Sequence, residues 1–181
     1  RNDLFLWDWE NGGLRRITHG QGIREADPAP DGTWAAGLRC LHARCDVVRI
    51  DLASGDVTVL AAGEELSPWF RPRVSPDGRT IVASRQTGDR WRLVEMRADG
   101  SGQRFIGPDD GSRFDADFLG DGGTLVLTSV ASGIPPLELM DRSTGGVRPL
   151  TRVTGAAVAP APMPGGDTVF FLDLHSRGWD L

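Results

Sequence analysis

The residues with the chemistry to react or to hold a ligand are thinly spread along this chain, and their spacing decides which chemistry is open to them. Three histidines, His19, His42 and His175, stand far apart with no carboxylate motif beside them. No His-Glu-x-x-His pattern is present to bind zinc, and no Gly-x-Ser-x-Gly stretch to present a nucleophilic serine. No glycine run leads into the Lys-Ser/Thr ending that cradles phosphate. The sequence therefore contains no catalytic motif, reads as non-enzymatic and implies no cofactor. In "PDDGSRFDADFLGDGG" (108–123), Asp115, Asp117 and Asp121 offer hard oxygen ligands of the kind calcium takes. The alternate-position carboxylates, central glycine and distal glutamate of an EF-hand are missing, so no metal is expected there.

Three other sets of residues draw attention by their spacing. Glu25, Arg71 and Asp115 are 46 and 44 residues apart, and Asp27, Arg73 and Asp117 repeat that spacing two residues on. Cys40 and Cys45 are the only cysteines and flank the short stretch "LHAR". Six tryptophans, Trp7, Trp9, Trp34, Trp69, Trp91 and Trp179, are scattered along the chain. What these groups can do depends on the elements that carry them.

Those elements repeat. "PDGTW" (30–34), "PDGRT" (76–80), "GDGGT" (120–124) and "PGGDT" (164–168) align, with Gly32, Gly78, Gly122 and Gly166 spaced by 46, 44 and 44 residues. Leu4, Val47, Leu93, Leu137 and Leu181 keep the same period, as do Ile17, Leu60, Ile106 and Leu150. Each repeat holds four short segments. Segment a precedes the Asp-Gly turn, as in "WFRPRVS" (69–75), and segment b follows it as an apolar run, as in "TIVAS" (80–84), "TLVLT" (124–128) and "TVFFL" (168–172). Such runs suit strands covered on both faces. Segment c alternates more ("LVEMR", 93–97) and is expected to be half exposed. Segment d is polar ("VRPLT", 147–151) and reads as a wet edge, where Pro149 costs no ladder bond. Gly-bearing hairpin turns join c to d. No window carries helical periodicity, so helical arrays are excluded.

Four antiparallel strands per unit of about 44 residues describe a propeller blade. The chain is thus expected to be all-β, a single β-propeller with segments c and d of one blade in 1–20, blades at 21–63, 64–108 and 109–152, and a further a and b with the start of c in 153–181. Its ends fall at the same phase, which is expected of a slice from a ring of six to eight blades, although closure as a four-bladed ring is the alternative. Segment a borders the central channel. Glu25, Asp27, Arg71, Arg73, Asp115 and Asp117 then form two rows of alternating sign at the channel mouth, which either bind a polar ligand or peptide end or pair between blades. Cys40 and Cys45 face each other across a b–c hairpin with a four-residue loop, either as a disulfide or as two reduced thiols. Most tryptophans fall on strands and should pack between blades, with Trp9 and Trp91 as the exposed contacts.

"RPRVSPDGRTIVAS" followed by "WRLVEMRADGSG" resembles the WD40-like (PD40) repeat of TolB-type propellers, and "NGGLRRITHG" (11–20) and "GGVRPLTRVTG" (145–155) are similar to its outer strand. Gly120, Gly165 and Trp34 depart from the pattern. The resemblance implies a non-catalytic scaffold that binds a protein or peptide in the bacterial cell envelope or periplasm, flanked by other domains. It implies, alternatively, the substrate-gating propeller of a prolyl-oligopeptidase-like serine peptidase whose catalytic domain is outside this chain. An envelope setting favours the Cys40–Cys45 bond. A net charge of −5 argues against nucleic acid, all twenty basic residues being Arg reads as genomic bias, and no apolar run is long enough to insert into a membrane as a helix. No secretory leader is read within the chain, which starts at "RNDLFLW".

Overall fold

A computed structural model describes residues 2–131, 133–165 and 167–181. Among the described residues every regular element is a β-strand, in five antiparallel sheets. The first pairs β1 (Phe5–Asp8) with β2 (Gly13–Arg16). The second runs β3 (Ile23–Pro28), β4 (Trp34–Leu41), β5 (Arg44–Asp51) and β6 (Val57–Ala61) in sequence order. The third is β7 (Trp69–Val74), β8 (Thr80–Thr87), β9 (Arg90–Arg97) and β10 (Arg104–Ile106). The fourth is β11 (Arg113–Phe118), β12 (Thr124–Ser129), β13 (Leu137–Asp141) and β14 (Val147–Pro149), and the fifth is β15 (Ala156–Pro162), β16 (Val169–His175) and β17 (Gly178–Asp180). The chain is therefore all-β and built as an arc of propeller blades.

The repeated Asp-Gly phrase makes the reversal from the first to the second strand of a sheet. Gly32, Gly78 and Gly122 take φ of 68°, 70° and 65°, which glycine adopts without a Cβ penalty. Asp31, Asp77 and Asp121 each accept a backbone N–H two residues on, from Thr33, Arg79 and Gly123 at 2.9–3.0 Å. The fourth turn glycine, Gly166, lies outside the described residues.

Apolar clusters fill the space between successive sheets. Ala36, Val82 and Val126 of the second strands face the following sheet, and Ile50, Met96 and Met140 of the third strands face the preceding one, all buried. The third strand is thus not half exposed, as its alternation predicts; Leu137 to Met140 are all buried, because this strand too is covered on both faces. The same columns change character at the two ends of the arc. Phe170 and Leu172 of β16, aligned with Val126 and Thr128, are 48% and 38% exposed, and Phe5 and Trp7 of β1, aligned with Val48 and Ile50, are 50% and 65% exposed. The "TVFFL" run is therefore covered on one face only, since no sheet of this chain lies beyond it. Among the described residues no apolar cluster joins the first sheet to the fifth, so the ring is not closed.

Candidate functional site

The first strands β3, β7, β11 and β15 carry the charged columns. Each contains a bulge, where its register with the second strand shifts by one residue. The residue at the bulge has positive φ without being glycine: Glu25 (52°), Arg71 (47°), Asp115 (57°) and Ala159 (55°). Such a bulge kinks the strand and re-aims the side chain it carries. The bulge brings together residues of three successive sheets.

Glu25 Oε2 accepts the backbone N–H of Arg71 at 2.7 Å, and Arg71 Nη1 pairs with Asp115 Oδ1 at 2.5 Å. In the second row Asp27 Oδ2 accepts the N–H of Val74 at 2.7 Å, and Arg73 lies 4.0 Å from Asp27 and 3.1 Å from Asp117. Asp117 also accepts the N–H of Phe118, and the Asp115 N–H is taken by Ser84 Oγ of the preceding sheet at 2.9 Å. Asp27 and Asp117 thus serve twice, as ion-pair partners and as acceptors for backbone N–H groups of the first strands, while Glu25 only accepts an N–H and Asp115 only takes the ion pair. In the fifth sheet the two columns hold Ala159 and Ala161, so the rows end there.

Burial pushes the carboxyls of Asp27, Asp115 and Asp117 above the ordinary range, opposed by the Val74 N–H and Arg73 at Asp27, by Arg71 at Asp115 and by Arg73 at Asp117. Four carboxylates stand against two guanidiniums. The arrangement offers fixed charges and hydrogen-bond groups along an inner rim.

Cys40 and Cys45 are disulfide-bonded and directly paired, with Cα atoms 4.0 Å apart. The hairpin is tighter than the expected four-residue loop: the strands continue to Leu41 and Arg44, leaving His42 and Ala43 as a two-residue turn with φ of 49° and 65°. Positive φ at both positions matches the twist of the flanking strands. Trp91 is not the exposed contact its position suggests. It is half-buried between Phe70 and Phe114, at centroid distances of 5.9 and 6.4 Å. Trp9 is exposed, as are Trp7 and Trp179, while Trp34 and Trp69 are buried. Asp121 is held by the Gly123 and Thr124 N–H groups and is a turn residue. His175 Nε2 lies 2.7 Å from Asp180, on the exposed last hairpin.

Sequence spacing found the six charged residues. It missed their backbone acceptor roles, Ser84, the aromatic stack and the buried pair Arg113–Glu138 at 2.7 Å. The small or Pro residue after each bulge (Ala26, Pro72, Ala116, Pro160) is the signal that marks the bulge in the sequence.

Successive antiparallel four-stranded sheets, packed face to face with their first strands along one inner edge, define a β-propeller. The solved structures similar to this chain agree with that class. TolB from Acinetobacter baumannii aligns with a TM-score of 0.85 at 18% identity, over 98% of this chain and 44% of that one. An oligogalacturonate lyase in complex with manganese aligns with a TM-score of 0.70 at 18% identity, over 91% of this chain and 51% of that one. A puromycin hydrolase mutant aligns at 0.75 and 13% identity, over 94% of this chain and 28% of that one. The chain thus spans about half or less of these proteins, and at such identities the likeness is one of fold. No protein-family profile matches the chain, and no curated protein matches it in sequence.

Proposed function

We propose that this chain is part of a larger β-propeller that binds a protein or peptide at its inner rim and performs no chemistry of its own. The observation that carries this reading is the pair of charged rows on three successive first strands, which fixes alternating charges where a propeller's channel opens. The uncovered columns at Phe5, Trp7, Phe170 and Leu172 support a further blade on each side of this chain, because these positions are interior wherever a neighbouring sheet exists; a ring of six to eight blades flanked by other domains is what the resemblance to TolB-type propellers implies. The Cys40–Cys45 bond supports an oxidising compartment such as the bacterial periplasm. The absence of an elbow serine or zinc motif in the sequence fits a scaffold role.

The test is a binding comparison. A photo-crosslinker placed beside the rim is used to capture a partner from periplasmic extract, and the affinity of the identified protein or peptide is then measured. Arg71→Gln and Arg73→Gln, each confirmed folded, should weaken that affinity about tenfold, the loss of one charge-assisted contact. Unchanged affinity in both moves the site off the rim. Hydrolysis of a peptide or ester by the purified chain, abolished by a substitution within it, overturns the scaffold reading. The likeness to a puromycin hydrolase favours the peptidase-gating role as the second reading; rim substitutions would then alter only which peptides a joined hydrolase domain cleaves.

A further inference from the structure

A cavity of about 780 Å³ opens beside the disulfide hairpin, between its tip and residues 63–66, away from the charged rim. Its hydrogen-bonding groups do not balance. Asp46 is buried and both its oxygens are engaged, Oδ1 by the Gly63 N–H at 2.9 Å and Oδ2 by Arg39 Nη2 at 3.0 Å. Glu64 is held by Arg85 at 3.2 Å. The donors are less well served. Arg39 Nε is buried and has no acceptor among the described residues. Among the described residues the half-exposed Arg44 reaches only Asp46 Oδ1, at 3.6 Å, which is too long for a hydrogen bond and leads to an oxygen already in use. The Arg39 nitrogen has almost no surface open to the cavity, so the donor a ligand meets there is the guanidinium of Arg44. Two leucines complete the wall: Leu41, half-buried, and Leu66, which is 88% exposed.

We infer that this cavity binds a carboxylate bearing an apolar substituent. The carboxylate supplies Arg44 with an acceptor within hydrogen-bond distance, in the charge-assisted geometry that guanidinium favours. The substituent lies against Leu41 and Leu66. Glu65, exposed at the rim of the cavity, weakens an anion and limits affinity. The disulfide belongs to the site. Cys40 separates Arg39 from Leu41 and Cys45 separates Arg44 from Asp46, so the bond fixes the cavity's basic wall before the ligand arrives. A free apolar acid and the C-terminal residue of a peptide present the same chemistry.

Calorimetry on the whole folded chain tests this with N-acetyl-leucine and a pentapeptide ending in leucine, each as free acid and as C-terminal amide. The acids should bind at least about tenfold more tightly than the amides, the difference made by one charge-assisted contact. Arg44→Gln, at an exposed side chain, should remove that preference, and Glu65→Gln should tighten the acids about threefold. Reduction by a dithiol, followed by alkylation, should weaken the acids about fivefold while circular dichroism shows the sheets intact. Tighter binding of the peptide assigns the site to chain termini, and equal binding assigns it to free acids. Equal affinity for acid and amide, or an acid affinity untouched by Arg44→Gln, overturns the proposal. A site indifferent to reduction overturns the role given to the disulfide.

Discussion

Removing the Arg71 guanidinium should destabilise the protein in a way that acid reverses. The Asp115 side chain is 6% exposed and its charge is compensated by Arg71, itself 21% exposed. Taking one partner from a buried pair leaves an uncompensated charge, at a cost of about 3–5 kcal/mol. Because Arg71 retains some contact with water, we take the lower end, about 3 kcal/mol, for Arg71→Gln, or about 6–12 °C in Tm for a chain of this length. Asp115→Asn keeps the shape and tolerates the left-handed φ of 57° at that position, so the double variant should recover about 2 kcal/mol. The pH dependence has a definite sign. Burial holds the folded Asp115 carboxyl above its ordinary value of 3.8, and losing Arg71 removes the charge that opposes the shift. The folded variant then binds this proton more tightly than the unfolded chain does. Its stability falls as pH rises from near 3.8 through the raised folded value, and returns on acidification. Urea denaturation of the single and double variants at pH 7 and near pH 4 should show a full penalty at the higher pH and a smaller one at the lower. A penalty below about 1 kcal/mol, additive single effects or a penalty that grows in acid would refute the claim that Arg71 compensates a buried carboxylate.

Two further predictions follow from local geometry. Reducing the Cys40–Cys45 bond should lower stability by about 2 kcal/mol, because the closed loop is short, and intact mass after alkylation without reductant should show no free thiol. Gly12 and Gly55 occupy the same turn position in successive repeats, with φ of 72° and 80°, but a Cβ at Gly55 would collide with the Ile17 carbonyl oxygen while one at Gly12 meets open space. In thermal melts Gly12→Ala should cost about 1 kcal/mol and Gly55→Ala clearly more; equal losses would show that the backbone angle alone sets the cost.

The strand order and the Asp-Gly reversals were legible in the sequence because they are local. A turn needs its aspartate acceptor and its glycine within a few residues, and repetition through Gly32, Gly78 and Gly122 exposes the period. The column of Arg71 between Glu25 and Asp115 was legible for the same reason, since equivalent residues of successive blades recur at the repeat length. Whether those residues would meet was not, because contact between sheets depends on the bulge at each first strand, where a left-handed Arg71 turns its N–H to Glu25 and its guanidinium to Asp115. Trp91 shows the same limit: its place near a strand end suggested exposure, and Phe114 of the next sheet covers it. The "TVFFL" run carries the composition of a strand buried on both faces, yet Phe170 is exposed, because burial belongs to the neighbouring sheet and not to the strand. The sequence by itself determined the repeat, the turns and the charged columns, all set by spacing along one chain. Only the tertiary structure decided which groups pair, which faces lie open and which donors lack acceptors, because these depend on distances between segments that the chain's own periodicity does not fix.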